Sequence, residues 1–345
     1  MSEWAKSPHH IIASHHEELA DDFKLGIDLT LGQLIEARHS PIIQWLSPNA
    51  KVKTNRVGGF RSRFKGRGMD FDESRIYQIG DDIRNIDWRV TARTGTTHTK
   101  LFKEERERPV FVILDQMPSM FFGTAQVFKS ILASRITAQL MWHTLTNGDR
   151  FGALLFGEKH HLEMKPSNNR RNCMRLLNRI VESHQQTLLD VFQSNKQPEA
   201  KPDFAFADTL KRLKYLAKPG TLIHIISDFN HFDEQSRAHL SKLSQHTDVH
   251  CILINDPIEK NLPPAGFYGI SNGSQVGLLN TTNNQIRQQY QNAYQAKVEK
   301  IKAFALSHKG IFTQVDTNFQ QNSLGHQPTV AQPMTQQENP SRGVK

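Results

Sequence analysis

Two aspartates close apolar runs in this chain: Asp115 follows Val110-Phe-Val-Ile-Leu114, and Asp228 follows Thr221-Leu-Ile-His-Ile-Ile-Ser227. A serine, Ser119, lies just beyond the first of them. Carboxylates and hydroxyls are hard oxygen donors, so these three residues on one rim would suit Mg²⁺. The plainer alternative is that each Asp caps the helix after it, because an acid at a strand-to-helix turn satisfies free backbone N–H groups.

A second constellation fills residues 66–107, a stretch dense in Arg, Lys, Asp and Glu and interleaved with Ile, Tyr, Phe and Trp. Charges in such a mixture are buried only when paired, yet the stretch is too apolar for a disordered polyampholyte. Arg75, Arg84, Arg89 and Arg93 can form bidentate forks with Asp70, Asp81, Asp82 and Asp87. Tyr77 and Trp88 offer faces on which guanidinium groups stack. The expectation is a self-satisfied network, so that Asp87→Ala or Trp88→Ala destabilises the whole protein. A rival reading is a metal-dependent phosphodiesterase, with Asp70, Asp72, Asp81, Asp82 and Asp87 holding the metal. Against it, these acids alternate with arginines that compete for them.

Other chemistry is thin. The pairs His9-His10, His15-His16 and His160-His161 are adjacent, and neighbours in an extended segment point to opposite faces. Cys173 and Cys251 are too far apart in sequence for a zinc motif. No Walker loop and no Gly-x-Ser-x-Gly elbow occurs. The net charge of +9 suggests an acidic partner, and Arg56, Arg61, Arg63, Lys65 and Arg67 form a basic run that reads equally as a solvated loop. Without a recognisable nucleic-acid module, binding to nucleic acid would rest on charge alone and be salt-sensitive. No apolar run is long enough to span a membrane, no secretory signal is seen at the start, and two reduced thiols fit the cytosol.

The elements that would position these residues follow from periodicity. Leu19, Phe23, Ile27, Leu31, Leu34 and Ile35 predict an amphipathic helix over 16–38. The charged module predicts β and coil, with strands at 74–79 and 97–102, a turn at Gly80-Asp81-Asp82, and Asp81 or Asp82 capping Ile83-Arg84-Asn85. From residue 109 short apolar runs alternate with helical patterns: strands at 109–114, 151–156, 221–227 and 249–254, helices at 124–147, 169–187, 205–218 and 233–246. That alternation predicts an open parallel α/β sheet. An edge strand at 275–279, a polar helix at 283–307 and a last strand at 311–316 follow. Residues 320–345, rich in Gln, Asn, Pro and Ser, read as disordered. The expected organisation is a helical region 1–50, a charged module 51–108, an α/β domain 109–318 and a tail 319–345.

Residues 56–317 resemble the domain-of-unknown-function 58 family, whose C-terminal half is similar to a von Willebrand factor A domain. The resemblance is carried by Gly66-Arg-Gly68, Asp70-Phe71, Arg75-Ile-Tyr77, Gly80-Asp-Asp82, Arg84, Ile86-Asp-Trp88, Ala92-Arg93, Glu105, Asp115 through Met120, Gly148-Asp-Arg150 and Ser227-Asp-Phe229. It implies a Rossmann-like parallel sheet with helices on both faces and no established catalytic activity, and the expectation is a protein that is not an enzyme. It also implies partnership with a MoxR-type AAA+ ATPase and other von Willebrand A-like proteins, in chaperone-like assembly or maturation. The family's metal-ion-dependent adhesion site follows Asp-x-Ser-x-Ser, with a later Thr and a second Asp. On that pattern Asp115 is the first Asp, Ser119 the second Ser and Asp228 the late Asp. Met117 replaces the first Ser, and the Thr position falls near Phe204. A thioether is a poor Mg²⁺ ligand, so the resemblance implies a degenerate site with weak or no metal. The expected docking surface is the rim of Asp115, Ser119 and Asp228, with the module of Arg75, Asp81, Asp82, Arg84, Asp87, Trp88 and Arg93.

Overall fold

The structure, a computed structural model, describes residues 26–39, 69–104, 109–124, 126–158, 161–193, 206–271, 276–318 and 329–331. The basic run 56–67, Phe204, the His9-His10 and His15-His16 pairs and most of the tail lie outside them. The chain divides into two compact units, one within Met1–Pro48 and Arg108–Lys345, the other within Asn49–Glu107.

The larger unit is built on a seven-stranded sheet. Strands β3 (Val110–Asp115), β4 (Phe151–Phe156), β6 (Leu222–Ser227), β7 (Asp248–Asn255) and β10 (Ile311–Asp316) are parallel. β5 (His161–Ser167) and β11 (Thr329–Ala331) close the two edges antiparallel. The spatial order is β11-β10-β7-β6-β3-β4-β5. The chain therefore runs outward from β3 to β4 and β5, then returns to β6 and runs outward the other way through β7 and β10. The direction reverses between β3 and β6. In an open α/β sheet that is where the carboxyl ends of the strands leave a crevice for ligands.

Why the sheet takes helices on both faces is visible in β3. Val110, Val112 and Leu114 join one buried cluster; Phe111 and Ile113 join another. Alternate side chains of a strand point to opposite faces, so a run without a polar position needs cover on each. Helices α3 (Lys129–Thr146) and α4 (Arg170–Gln193) supply the first cluster. Helices α5 (Phe206–Leu216), α6 (Glu234–Leu243) and α8 (Asn284–Ser307) supply the second. Gly152 on β4 is required by packing: a Cβ there would lie 2.8 Å from the Phe111 ring.

The N-terminal helix differs from its expected span. Of residues 16–38, those before 26 lie outside the described residues, and the helical pattern is interrupted at Asp28–Thr30. Thr30 then caps α1 (Leu31–Glu36) in a capping box with Gln33, which satisfies its free N–H groups locally. Trp142 Nε1 of α3 donates to Leu34 O at 3.0 Å, holding α1 on the sheet domain. The strand expected at 275–279 is not an edge of the main sheet. β9 (Val276–Asn280) pairs only with β8 (Phe267–Ser271), as a separate antiparallel hairpin. In the tail read as disordered, Thr329–Ala331 pairs with β10.

The smaller unit is a hairpin of β1 (Met69–Ile76) and β2 (His98–Glu104), with a bulge between Phe71 and Glu73. Between the strands, residues read as β or coil contain a helix, α2 (Trp88–Thr94), closed by Gly95 in the left-handed conformation. With only two turns and no periodic apolar face, α2 leaves little signal in a pattern search.

Candidate functional site

Four neighbouring strands of the main sheet deliver an aspartate at their carboxyl ends: Asp115 ends β3, Asp228 follows β6, Asp256 follows β7 and Asp316 ends β10. Asp115 and Asp228 flank the reversal point. Both are almost wholly buried, so each needs compensation.

Asp115 finds it in neutral donors. Met117 N donates to Oδ1 at 2.9 Å and Ser227 Oγ to Oδ2 at 2.5 Å. Ser227 Oγ in turn accepts from Phe229 N at 2.8 Å, and Phe229 holds a left-handed φ of 54°, a conformation that costs a non-glycine residue about 1–3 kcal/mol. Burial, followed by the charge of Asp228, pushes the Asp115 carboxyl up to about 7, against the pull of Ser227, Met117 and Lys129.

Asp228 finds a cation. Lys129 Nζ lies 2.8 Å from Asp228 Oδ2 and 2.7 Å from Glu259 Oε1. The Lys129 side chain is 1% exposed. Asn230 adds two bonds, N to Oδ1 at 3.0 Å and Nδ2 to Oδ2 at 2.9 Å. Burial acts to raise Asp228, but Lys129, the Asn230 N–H and Lys297 together outweigh it and hold the carboxyl below the usual range. Burial likewise acts to lower Lys129, and Asp228 and Glu259 together hold it above the usual lysine range.

Glu259 is placed by its own turn. Asp256 caps α7 (Pro257–Lys260) in a capping box, with Asp256 N donating to Glu259 Oε2 at 2.9 Å. The other carboxylate oxygen is left for Lys129. Asp256 also accepts from Thr317 Oγ1 at 2.6 Å and from Thr124 N at 2.7 Å and Oγ1. Lys260 Nζ meets Asp316 at 2.5 Å. Around the rim, Phe122, Asn230, Tyr290 and Lys297 reach the surface, and Lys297 Nζ donates to Asn230 Oδ1 at 2.5 Å.

In the smaller unit the acids do a different job. Asp87 Oδ1 caps α2 by accepting from Val90 N at 3.2 Å, and Oδ2 accepts from Ser74 Oγ at 2.8 Å. These bonds hold its carboxyl below the usual range. Asp82 caps the 3-10 turn Ile83–Asn85 by accepting from Arg84 N at 3.0 Å. Asp81 accepts from Gln78 N at 2.9 Å and pairs with Arg75 at 2.7 Å.

Residues 73–300 match the family described as "Protein of unknown function DUF58". The chain belongs to this family. It is 30% identical over 240 residues to the uncharacterized protein Rv1480 of Mycobacterium tuberculosis, covering 68% of this chain and 71% of the relative. A shorter match, 27% over 88 residues, is to the uncharacterized protein YeaD of Bacillus subtilis, covering 26% of this chain and 20% of that one. Among solved structures the chain is similar to the conserved hypothetical protein BatB from Bacteroides thetaiotaomicron, at 14% identity and a TM-score of 0.35, covering 57% of this chain and 98% of that one. It is also similar to a von Willebrand factor type A protein from Catenulispora acidiphila, at 11% identity and a TM-score of 0.26, covering 46% and 35%. The fold of this DUF58 protein is von Willebrand factor A-like, and the strand order above is what carries that description.

Of the residues the resemblance pointed to, the fold brings Asp115 and Asp228 to one rim, with Ser119 in the 3-10 turn Pro118–Met120 beyond β3. The capping alternative holds only in part. Both aspartates bind backbone N–H groups two residues on, but α6 is capped by Asp233, and Phe128, at the N-cap of α3, gives no side-chain cap. The donor set does not fit a resident Mg²⁺. Met117, where the resemblance implies a serine, is packed in an apolar cluster, Ser119 Oγ is buried without a hydrogen-bond partner, and Lys129 already neutralises Asp228. Among the described residues, no three His, Cys, Asp or Glu side chains form a metal-binding group.

The arginine lattice expected in the module is a correction. Arg75–Asp81 is the one such pair formed among its described side chains. Arg84, Arg89 and Arg93 are exposed, and their expected acids are committed to backbone and hydroxyl donors. Trp88 is 69% exposed rather than enclosed by guanidinium groups. The side chain of Asp70 lies outside the described residues.

Sequence reasoning missed Lys129, Glu259 and Asp256. One signal was present: Lys129 shares the helical stripe of Leu132 and Ile136, both buried, and a lysine on an apolar stripe needs a buried anion.

Proposed function

We propose that this DUF58 protein is a non-enzymatic interaction protein that works in the cytosol with a MoxR-type AAA+ ATPase and von Willebrand A-like partners, in assembly or maturation of other proteins. Family membership and fold support a protein-interaction role. The observation that carries the reading is the state of the reversal-point crevice. Its chemically capable groups, Asp115, Asp228, Ser227, Lys129 and Glu259, are engaged with one another. A general base or nucleophile needs a free face toward a substrate, and this arrangement instead gives a rigid rim. Phe122 and Tyr290 stand on that rim as exposed aromatic anchors of the kind that dominate protein interfaces.

The test is affinity capture of the tagged full chain under ATP, with mass spectrometry of bound proteins. Recovery of an AAA+ ATPase, reduced by Phe122→Ala or Tyr290→Ala at unchanged melting temperature, is the expected result. Divalent-dependent cleavage of a generic phosphodiester, lost in Asp82→Asn, would overturn the non-enzymatic reading.

A further inference from the structure

We propose that the Lys129 ammonium is the resident cation of this sheet edge, standing in for a divalent ion, so that the edge is metal-independent by construction. This deepens the docking reading, because it states what the docking surface does not need.

Three observations converge on it. Lys129 is the first residue of α3, and a cation at a helix N-terminus opposes the helix dipole. It is also 1% exposed, which costs an ammonium several kcal/mol of hydration. A lysine disfavoured on both counts persists only where anions hold it. Two do, Asp228 from the end of β6 and Glu259 from the turn after β7, at 2.8 and 2.7 Å. The second observation is the loss of competing ligands. Met117, at the sequence position where the resemblance implies a serine, packs its side chain into the apolar cluster of the second face, and a soft sulfur does not recruit a hard cation. The third is Ser119, whose hydroxyl is buried and unpartnered. An ammonium makes three hydrogen bonds at most, whereas a divalent ion would draw such an oxygen into a wider shell.

The consequence is chemical. A divalent ion can leave a coordination position for a carboxylate brought by a partner. An ammonium bonded to two carboxylates keeps one N–H donor, but at 1% exposure Lys129 holds it out of a partner's reach, so a partner at this edge need not supply an acid.

The experiment is thermal denaturation with Mn²⁺ and Mg²⁺ titrations, joined to Mn²⁺ paramagnetic resonance, on the full chain. For the unmodified protein the expected melting temperature is unchanged, within about 1 °C, at millimolar metal and in EDTA, because a ligand that does not bind cannot stabilise. Lys129→Ala opens the cation position beside Asp228 and Glu259. It is expected to melt lower and to regain several degrees with Mn²⁺, a gain abolished by adding Asp228→Asn. If Lys129→Ala does not fold, Lys129→Gln, which keeps the length and removes the charge, takes its place. Stoichiometric Mn²⁺ binding by the unmodified protein overturns the proposal, and so does a Lys129 variant that ignores Mn²⁺. None of these readings needs a partner, so a metal-insensitive protein that captures no ATPase overturns the docking reading alone.

Discussion

The sheet edge and the charged module use the same residue types to opposite ends. At the edge, Asp115 and Asp228 are buried and Glu259 partly so, and each is answered by a neighbour: Asp228 and Glu259 by Lys129, Asp115 by Ser227 and the Met117 N–H. In the module, Asp82 and Asp87 are answered by backbone N–H groups and a serine hydroxyl, and Arg84, Arg89 and Arg93 are left to solvent. The donors within reach decide between the two. Asp115 and Asp228, 1% exposed at strand ends, are met by side chains from other elements, whereas the exposed Asp82 and the 7% exposed Asp87 are met locally, each at the start of its own turn or helix. Density of opposite charges in a sequence is therefore a poor guide to ion pairing, and a lone lysine among apolar residues is a better one.

The largest effect that could break this comparison is at Lys129. Lys129→Met keeps much of the volume and removes the charge, leaving Asp228 with the Asn230 donors and Glu259 with the Asp256 N–H but neither with its paired cation. Removing one partner of a buried pair typically costs about 3–5 kcal/mol. Denaturant unfolding should show a loss of that order, partly restored by adding Asp228→Asn. A loss below about 1 kcal/mol would show that the edge is solvated like the module.

The sheet was legible because its evidence is repeated. Strands β3 and β4 are unbroken apolar runs, β6 and β7 are interrupted only by His224 and His250 before their polar ends, helical patterns recur between the strands, and Asp115 and Asp228 mark two carboxyl ends. The antiparallel edge β5 was not legible, since His161–Ser167 is half-exposed and contains Pro166. Nor was the separation of the β8–β9 hairpin, because pairing partners are set by tertiary context and not by alternation. At the site, the two aspartates were readable from strand ends, but Lys129 and Glu259 come from α3 and α7, and their meeting depends on the strand order. In the module, the turn at Gly80 and the cap at Asp82 were readable from local chemistry. The arginine forks failed because local hydrogen bonds to backbone compete successfully with long side chains that lose rotamer freedom on pairing.

Asp115 sharpens the contrast through pH. Its folded carboxyl is pushed up to about 7 from an ordinary 3.8, chiefly by burial and then by Asp228. The folded state thus holds a proton that the unfolded state releases, so this contribution is intact below about pH 4 and is lost as pH rises through about 7. Asp228 has the opposite sign: its lowered carboxyl stabilises above the ordinary range and is lost only in acid. Lys129 keeps its charge throughout, its raised value moving any loss further into alkali. Asp115→Asn fixes the neutral form. Relative to the unmodified protein it should gain stability between pH 5 and pH 8, on the order of 2–4 kcal/mol at one unit per 1.4 kcal/mol. A difference independent of pH in unfolding measurements would show Asp115 to be an ordinary solvated carboxylate.

The module should answer more weakly, and unequally at two adjacent positions. Asp87→Ala removes the α2 cap and the acceptor of Ser74, so a fall of a few degrees in melting temperature is expected, in line with other lost caps. Trp88, next in sequence, is 69% exposed. Trp88→Ala should leave stability within about 0.5 kcal/mol, as surface changes usually do, while Ile79 and Ile83 remain exposed beside it in the chain. An exposed tryptophan with nearby exposed arginines is the composition of an interface hot spot rather than of a core. Trp88→Ala and Arg93→Ala should therefore reduce capture of a partner while melting with the unmodified protein. If Trp88→Ala instead lowers the melting temperature as much as Asp87→Ala, the stacked lattice read from the sequence holds after all, and the module is a structural brace and not a contact surface.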